Sequence, residues 1–251
     1  MQYREYGKQN PKTVVLLHGG GLSWWNFRAE AELLQDTYHV ILPVLDGHAG
    51  SDRHFTTIAE NAAGIIAYIS EELGGSVELL GGVSLGAQIV LEMLAQKGDI
   101  CKHAFAESAM VLPSRITESM IGPAFGCCFP LIRKKWFSRL QFRSLHIQEE
   151  LFDEYYRDTC AIGKADMIAF LRANASYPLK EALRDCAADV HIFYGEKEIR
   201  GIRKSAEMLH ECIAGSTLHI LPGMRHGDFS VNHAAEYAQC VREVLNGPPA
   251  L

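Results

Sequence analysis

The sequence predicts an α/β domain: a mostly parallel sheet of about six to eight strands, flanked by helices, with a helical insertion near its middle. Three observations carry this. Short β-branched or Leu-rich runs alternate with longer stretches of helical period. Each short run is bounded by Gly, Pro or polar residues, as buried strands are. The alternation fails once, over 113–183, where Phe, Trp, Met and Leu recur at helical spacing without a strand pattern.

Taken in order, the first core strand is Thr13–Leu17, followed by His18-Gly19-Gly20-Gly21 and a helical stretch over 24–35. A second strand at 39–42 leads into the polar turn Gly47-His48-Ala49-Gly50-Ser51-Asp52 and a helix over 58–73. The run at 77–80 is the third strand, and Leu85–Gln96 is its helix. A fourth strand lies within 103–112. The insertion follows, read as several helices broken at Pro123, Pro130, Gly163 and Pro178. At about seventy residues it is too long for a plain connection and needs its own structure. Strands at 190–194 and Thr217–Leu221, with helices over 202–212 and 234–245, complete the core. Residues 1–112 and 184–251 thus form the core, and 113–183 the insertion. Gly247-Pro248-Pro249 ends the last helix.

The 251 residues are 48% hydrophobic and 22% charged, enough apolar material for a large core. A net charge of -6 gives no overall attraction to nucleic acid or an anionic membrane. The basic group Arg133, Lys134, Lys135, Arg139 and Arg143 reads as a solvated helix face, with anionic-substrate binding as the alternative. Seven Cys, an odd number mostly among apolar neighbours, read as reduced thiols of a cytoplasmic protein. No Cys/His group has zinc spacing. His219, His226 and His233 fall seven apart, but Pro222-Gly223 breaks any helix that would align them. No metal or cofactor is therefore expected. The N-terminus lacks a signal-like apolar segment, and the longest near-apolar run, 121–132, is too short and broken to span a bilayer. The expected partner is a small-molecule substrate, and a homodimer is compatible with the sequence.

Gly82-Val83-Ser84-Leu85-Gly86 carries the strongest chemical signal. It follows a strand and opens a helix, the context in which a tight turn lifts a serine hydroxyl clear of the sheet. The glycines spare the turn collisions, and the helix N-terminus favours a developing anion. A serine needs a base, and His226, just after the last strand and between Gly223 and Gly227, is placed to serve. The base needs a carboxylate to orient it. Glu198, beyond the strand at 190–194, is the first candidate, Glu107 is the alternative, and Glu196 and Asp228 lie nearby. The amides of Gly20 and Leu85 are candidates for an oxyanion hole. Gly21, Trp24 and Trp25 beside the glycine loop, and Phe129 and Trp136 of the insertion, are candidate pocket residues.

Together these motifs resemble the α/β-hydrolase superfamily in its single-domain, lid-bearing bacterial form. The resemblance runs nearly end to end: the HG loop at 18–21, the turn at 47–52, the serine elbow at 82–86, a helical lid, an acid and then a histidine. The lid corresponds to an insertion after strand 6 of the family's sheet. It implies Ser84 as nucleophile, His226 as base and Glu198 as orienting acid in a carboxylic-ester hydrolase, with no cofactor. A carbon–carbon bond hydrolase or lyase using the same triad is the alternative, and a non-catalytic ligand receptor a third reading. The sequence departs from the family pattern in three ways: Glu198 stands where Asp is usual, Ala49 replaces a glycine, and the short N-terminal region implies that the first antiparallel strand is missing or reduced.

Overall fold

The computed structural model describes residues 1–247, apart from the side chain of Cys127. Pro248 and Pro249 lie outside the described residues. Strands β1 (Gln2–Tyr6), β2 (Thr13–Leu17), β3 (His39–Val44), β4 (Val77–Val83), β5 (Cys101–Glu107), β6 (Asp189–Gly195) and β7 (Thr217–Leu221) make one sheet, ordered β1-β3-β2-β4-β5-β6-β7. Only β1 runs antiparallel to its neighbour. This strand corrects the expectation of a missing or reduced first strand. Its polar sequence hides it, because an edge strand need not bury both faces; it pairs with β3 from Gln2 to Tyr6, and Tyr3 stacks on Tyr68 at 3.9 Å.

The helices are α1 (Arg28–Leu34), α2 (Ile58–Glu72), α3 (Leu85–Gln96), α4 (Arg115–Ile132), α5 (Lys135–Ser144), α6 (Phe152–Ala161), α7 (Lys164–Ser176), α8 (Arg200–Cys212), α9 (Asp228–Asn232) and α10 (Ala234–Asn246). Among the described residues, no helix is long and apolar enough to cross a membrane. Successive residues of β2 serve opposite faces, so the strand reads as a continuous apolar run. Val15 and Leu17 join Ile65, Ile89 and Leu209 on one face, while Val14 and Leu16 join Phe27, Leu34 and Tyr237 on the other.

Helices α4 to α7 all lie between β5 and β6. Pro123 and Pro130 do not break them, contrary to the sequence reading: α4 runs through both. Pro130 cannot donate to the Gly126 carbonyl one turn earlier. Lys164 Nζ donates to that carbonyl instead, at 3.1 Å. Gly163 and Pro178 do fall at helix ends. The insertion is fastened to the core by side chains. Trp25 Nε1 donates to Asp158 at 2.8 Å, Arg28 holds Glu154 through two bonds, and Asp166 accepts from the Phe55 amide at 2.9 Å.

Candidate active site

The turn between β4 and α3 sets Ser84 at φ 54°, ψ −112°, a conformation that costs a non-glycine residue roughly 1–3 kcal/mol. Its flanking glycines are sterically required. A Cβ on Gly82 would lie 2.5 Å from the Gly86 carbonyl carbon, and one on Gly86 would lie 2.1 Å from the Leu17 oxygen. The Ser84 amide donates to the Glu107 carbonyl at 2.9 Å, so the elbow is tied to the end of β5.

His226 sits in the loop after β7. Its Nδ1 lies 3.2 Å from Glu198 Oε2, and Glu198 is buried. Beside an acceptor-only carboxylate, Nδ1 carries the proton and Nε2 presents a lone pair. Burial pushes the His226 pKa down, but the hydrogen bond and charge of Glu198, with the charge of Glu107, outweigh it and leave the pKa above its ordinary value. The acid and histidine loops are laced together. The Gly223 amide donates to Glu196 Oε2 at 2.9 Å, the Lys197 amide to the Met224 carbonyl at 2.9 Å, and the Arg225 amide to Asp228 Oδ2 at 3.1 Å. Glu196 and Asp228 therefore hold loop backbone.

Glu107 likewise bonds backbone amides and not the histidine ring. It is buried under α9, accepting from the Phe229 amide at 3.1 Å and the Ser230 amide at 3.2 Å. Burial pushes its pKa up to about 7, against the lowering effect of these bonds and of His226. Its neighbour Ser108 is a residue the sequence reading missed. At φ 56°, Ser108 donates its hydroxyl to Glu198 Oε1 at 2.5 Å and accepts the Gly227 amide at 3.2 Å. A Ser following a strand is too common to signal such a role. The nearest available signal was its position beside Glu107, at the C-terminal edge where ligands bind in open α/β sheets.

The glycine loop is held by two neutral histidines. His18 Nε2 accepts from the Leu45 amide at 3.2 Å, and His48 Nε2 accepts from the Gly21 amide at 3.0 Å. Burial pushes their pKa values down to about 4 and about 3. Gly19 donates to Asn26 Oδ1 at 3.2 Å. The loop amides on either side of Gly20 are thus both engaged. Gly20 itself packs against Leu85: a Cβ there would lie 3.5 Å from the Leu85 side chain. The Leu85 amide belongs to the first turn of α3, where no intrahelical acceptor exists.

Three chambers with shared lining residues lie around this point. One of about 130 Å³ is lined by Ser84, His226, Gly20, Leu145 and Val231. A second, about 280 Å³, also reaches Ser84 and His226 and extends past Ser108, Met110, Asn174 and Ile202. The third, about 240 Å³, lies beyond Gly20 and Leu145 under the insertion, among Phe125, Met167 and Phe170. Among the described residues, no Asp, Glu, Lys or Arg lines any of them. Of the candidate pocket residues, Gly21 lines the third chamber, beside Gly20, and the others line none of the three. The Trp24 ring lies 5.5 and 5.8 Å from the Arg4 and Arg28 guanidinium groups, Trp25 is buried on Asp158, Phe129 packs on the core, and Trp136 is 66% exposed. Aromatic type alone does not distinguish a lining residue from an anchor. The basic group of 133–143 is outside the chambers, with Lys135 paired to Asp153 and Arg139 to Glu149.

Residues 14–240 match the model of the alpha/beta hydrolase family, and the chain belongs to that family. It is 27% identical over 239 residues to the uncharacterized hydrolase YugF of Bacillus subtilis, covering 89% of this chain and 86% of that protein. A thermophilic esterase from Thermogutta terrifontis has the same fold, with a TM-score of 0.77, 19% identity, and 98% and 92% of the two chains covered. So does the enol-lactonase from Burkholderia xenovorans LB400, with a TM-score of 0.80, 14% identity, and 98% and 96% covered.

Proposed function

We propose that the protein is a serine hydrolase that cleaves a carboxylic ester, or a related acyl bond, in a small or medium neutral molecule. The observation that carries this reading is the Glu198–His226 pair facing the chambers into which the strained Ser84 elbow opens. His226 Nε2 takes the Ser84 proton as Oγ attacks the carbonyl carbon. Glu198 holds the ring's tautomer and stabilises the imidazolium. The amides of Gly20 and Leu85 receive the oxyanion. His226 then returns the proton to the leaving alkoxide, and water, activated by the same histidine, releases the acyl group.

Chambers without charged side chains favour neutral substrates, since an unpaired buried charge is costly. The helical insertion 113–183 serves as a lid that shapes the third chamber. The esterase and the enol-lactonase of the same fold act on bonds of this type, which supports the reading. The test is turnover of p-nitrophenyl acetate and butyrate. Ser84→Ala should lose on the order of 10⁶-fold in kcat, and a fluorophosphonate should label Ser84 in the unaltered protein alone. Ester turnover that survives Ser84→Ala refutes the assignment.

A further inference from the structure

A second group of chemically competent side chains lies at the opposite end of the sheet from Ser84, where β5 and β6 begin. His103 and Asp189 are register partners across these strands. Asp189 and His191, two apart on β6, share a face. His103 Nδ1 and His191 Nε2 approach the same oxygen, Asp189 Oδ2, at 3.2 and 3.1 Å. All three atoms lie within 4.8 Å of one another.

We propose that His103, Asp189 and His191 bind a divalent transition-metal ion of the zinc class. With metal–ligand bonds of about 2.0–2.2 Å, tetrahedral ligand atoms stand roughly 3.3 Å apart, close to both distances to Asp189. Two imidazoles and one carboxylate suit zinc, cobalt or nickel rather than calcium or magnesium, which take oxygen donors. The imidazoles ride on paired strands, while Asp189, half exposed, is free to swing to its bonding position. An outer partner is also in place. His191 Nδ1 lies 3.0 Å from His219 Nε2, and donation along that bond leaves His191 Nε2 free to ligate. Phe105 packs edge-on against the His191 ring at 5.2 Å and limits its rotation.

The ion would clamp β5 to β6, the strands between which the chain departs to form the insertion. No local spacing rule reveals the set, because the ligands stand at 103, 189 and 191. The experiment uses the whole chain, stripped with EDTA and titrated with Zn²⁺ by calorimetry and with Co²⁺ by visible absorption. One equivalent should bind, Co²⁺ should give intense tetrahedral bands, and a hundredfold excess over Kd should raise Tm by roughly 5–10 °C. His103→Gln and Asp189→Asn should each abolish the bound equivalent and the Tm rise while ester turnover persists. Unchanged Zn²⁺ binding in both variants, no saturable binding below about 1 mM, or a weak octahedral Co²⁺ spectrum in the unaltered protein each overturns the site.

Discussion

Ser108→Ala is the sharpest test of how the site is held. The hydroxyl makes two buried contacts, a 2.5 Å bond to Glu198 and a 3.2 Å bond from the Gly227 amide. The first is charge-assisted, worth about 1.5–3 kcal/mol, and the second about 1 kcal/mol, so stability should fall by about 2–4 kcal/mol. Backbone strain does not change, since Ala and Ser both disfavour φ 56°. Ser108→Gly relieves that strain and should recover about 1 kcal/mol without restoring either bond. If the hydroxyl also positions Glu198, both variants should lose on the order of 10²-fold in kcat, the effect of a roughly 1 Å misplacement. The pH profile separates positioning from packing. With one donor fewer on Glu198, its charge acts more strongly on His226, whose pKa rises further. The acidic limb of kcat/KM then moves to higher pH. The assays are urea unfolding and p-nitrophenyl butyrate kinetics from pH 5 to 9. Lost stability with kcat and the limb unmoved would refute the argument.

Other outcomes follow from the same contacts. Glu198→Gln keeps the shape but not the charge, and should reduce kcat on the order of 10³–10⁴-fold; Glu107→Gln should cost less than about tenfold, since Glu107 bonds the first amides of α9 rather than the ring. Unaltered enzyme should lose kcat/KM on acidification through a pKa above the ordinary histidine value, because His226 is raised and only its neutral form accepts a proton. Glu107, facing His226, Glu30 and Tyr237, has its pKa raised to about 7. A raised carboxyl stabilises the fold below its unfolded pKa and loses that contribution as pH climbs through the folded one. Glu107 should therefore withdraw on the order of 3 kcal/mol between about pH 4.5 and 7, against the opposite trend of the buried neutral His18 and His48, and in thermal unfolding Glu107→Gln should gain that much relative to the unaltered protein over the same window. Gly86→Ala drives a Cβ to 2.1 Å from the Leu17 oxygen and should cost more than about 4 kcal/mol, seen as loss of soluble folded protein.

The sequence disclosed those parts of the fold that local physics dictates. β2 was legible because both its faces are buried, and the elbow because only glycine fits at 82 and 86. β1 was not, since an edge strand with five mostly polar residues carries no hydrophobic signature. Helix α4 was misread as broken, because the Lys164 ammonium that replaces a lost donor comes from another helix. In the site, Ser84, His226 and Glu198 follow from chain order and strand ends, and the structure brings the latter two into contact. Ser108 has no meaning until residues 193, 198 and 227 converge on it. The place of Trp25 was illegible for a related reason: it bonds Asp158, a partner 133 residues away.

Two adjacent residues at the end of β5 thus touch the serine elbow, the acid and the histidine loop. The Glu107 carbonyl takes the Ser84 amide, its carboxylate caps the helix after His226, and Ser108 joins Glu198 to Gly227. The insertion leaves the chain only after this dipeptide. The residues that tie the reacting groups together therefore lie outside the segment that lines the third chamber. A different helical segment grafted between 113 and 183 should redirect substrate choice while the reacting groups keep their register. Substrate range in this scaffold can drift without the chemistry being reassembled each time.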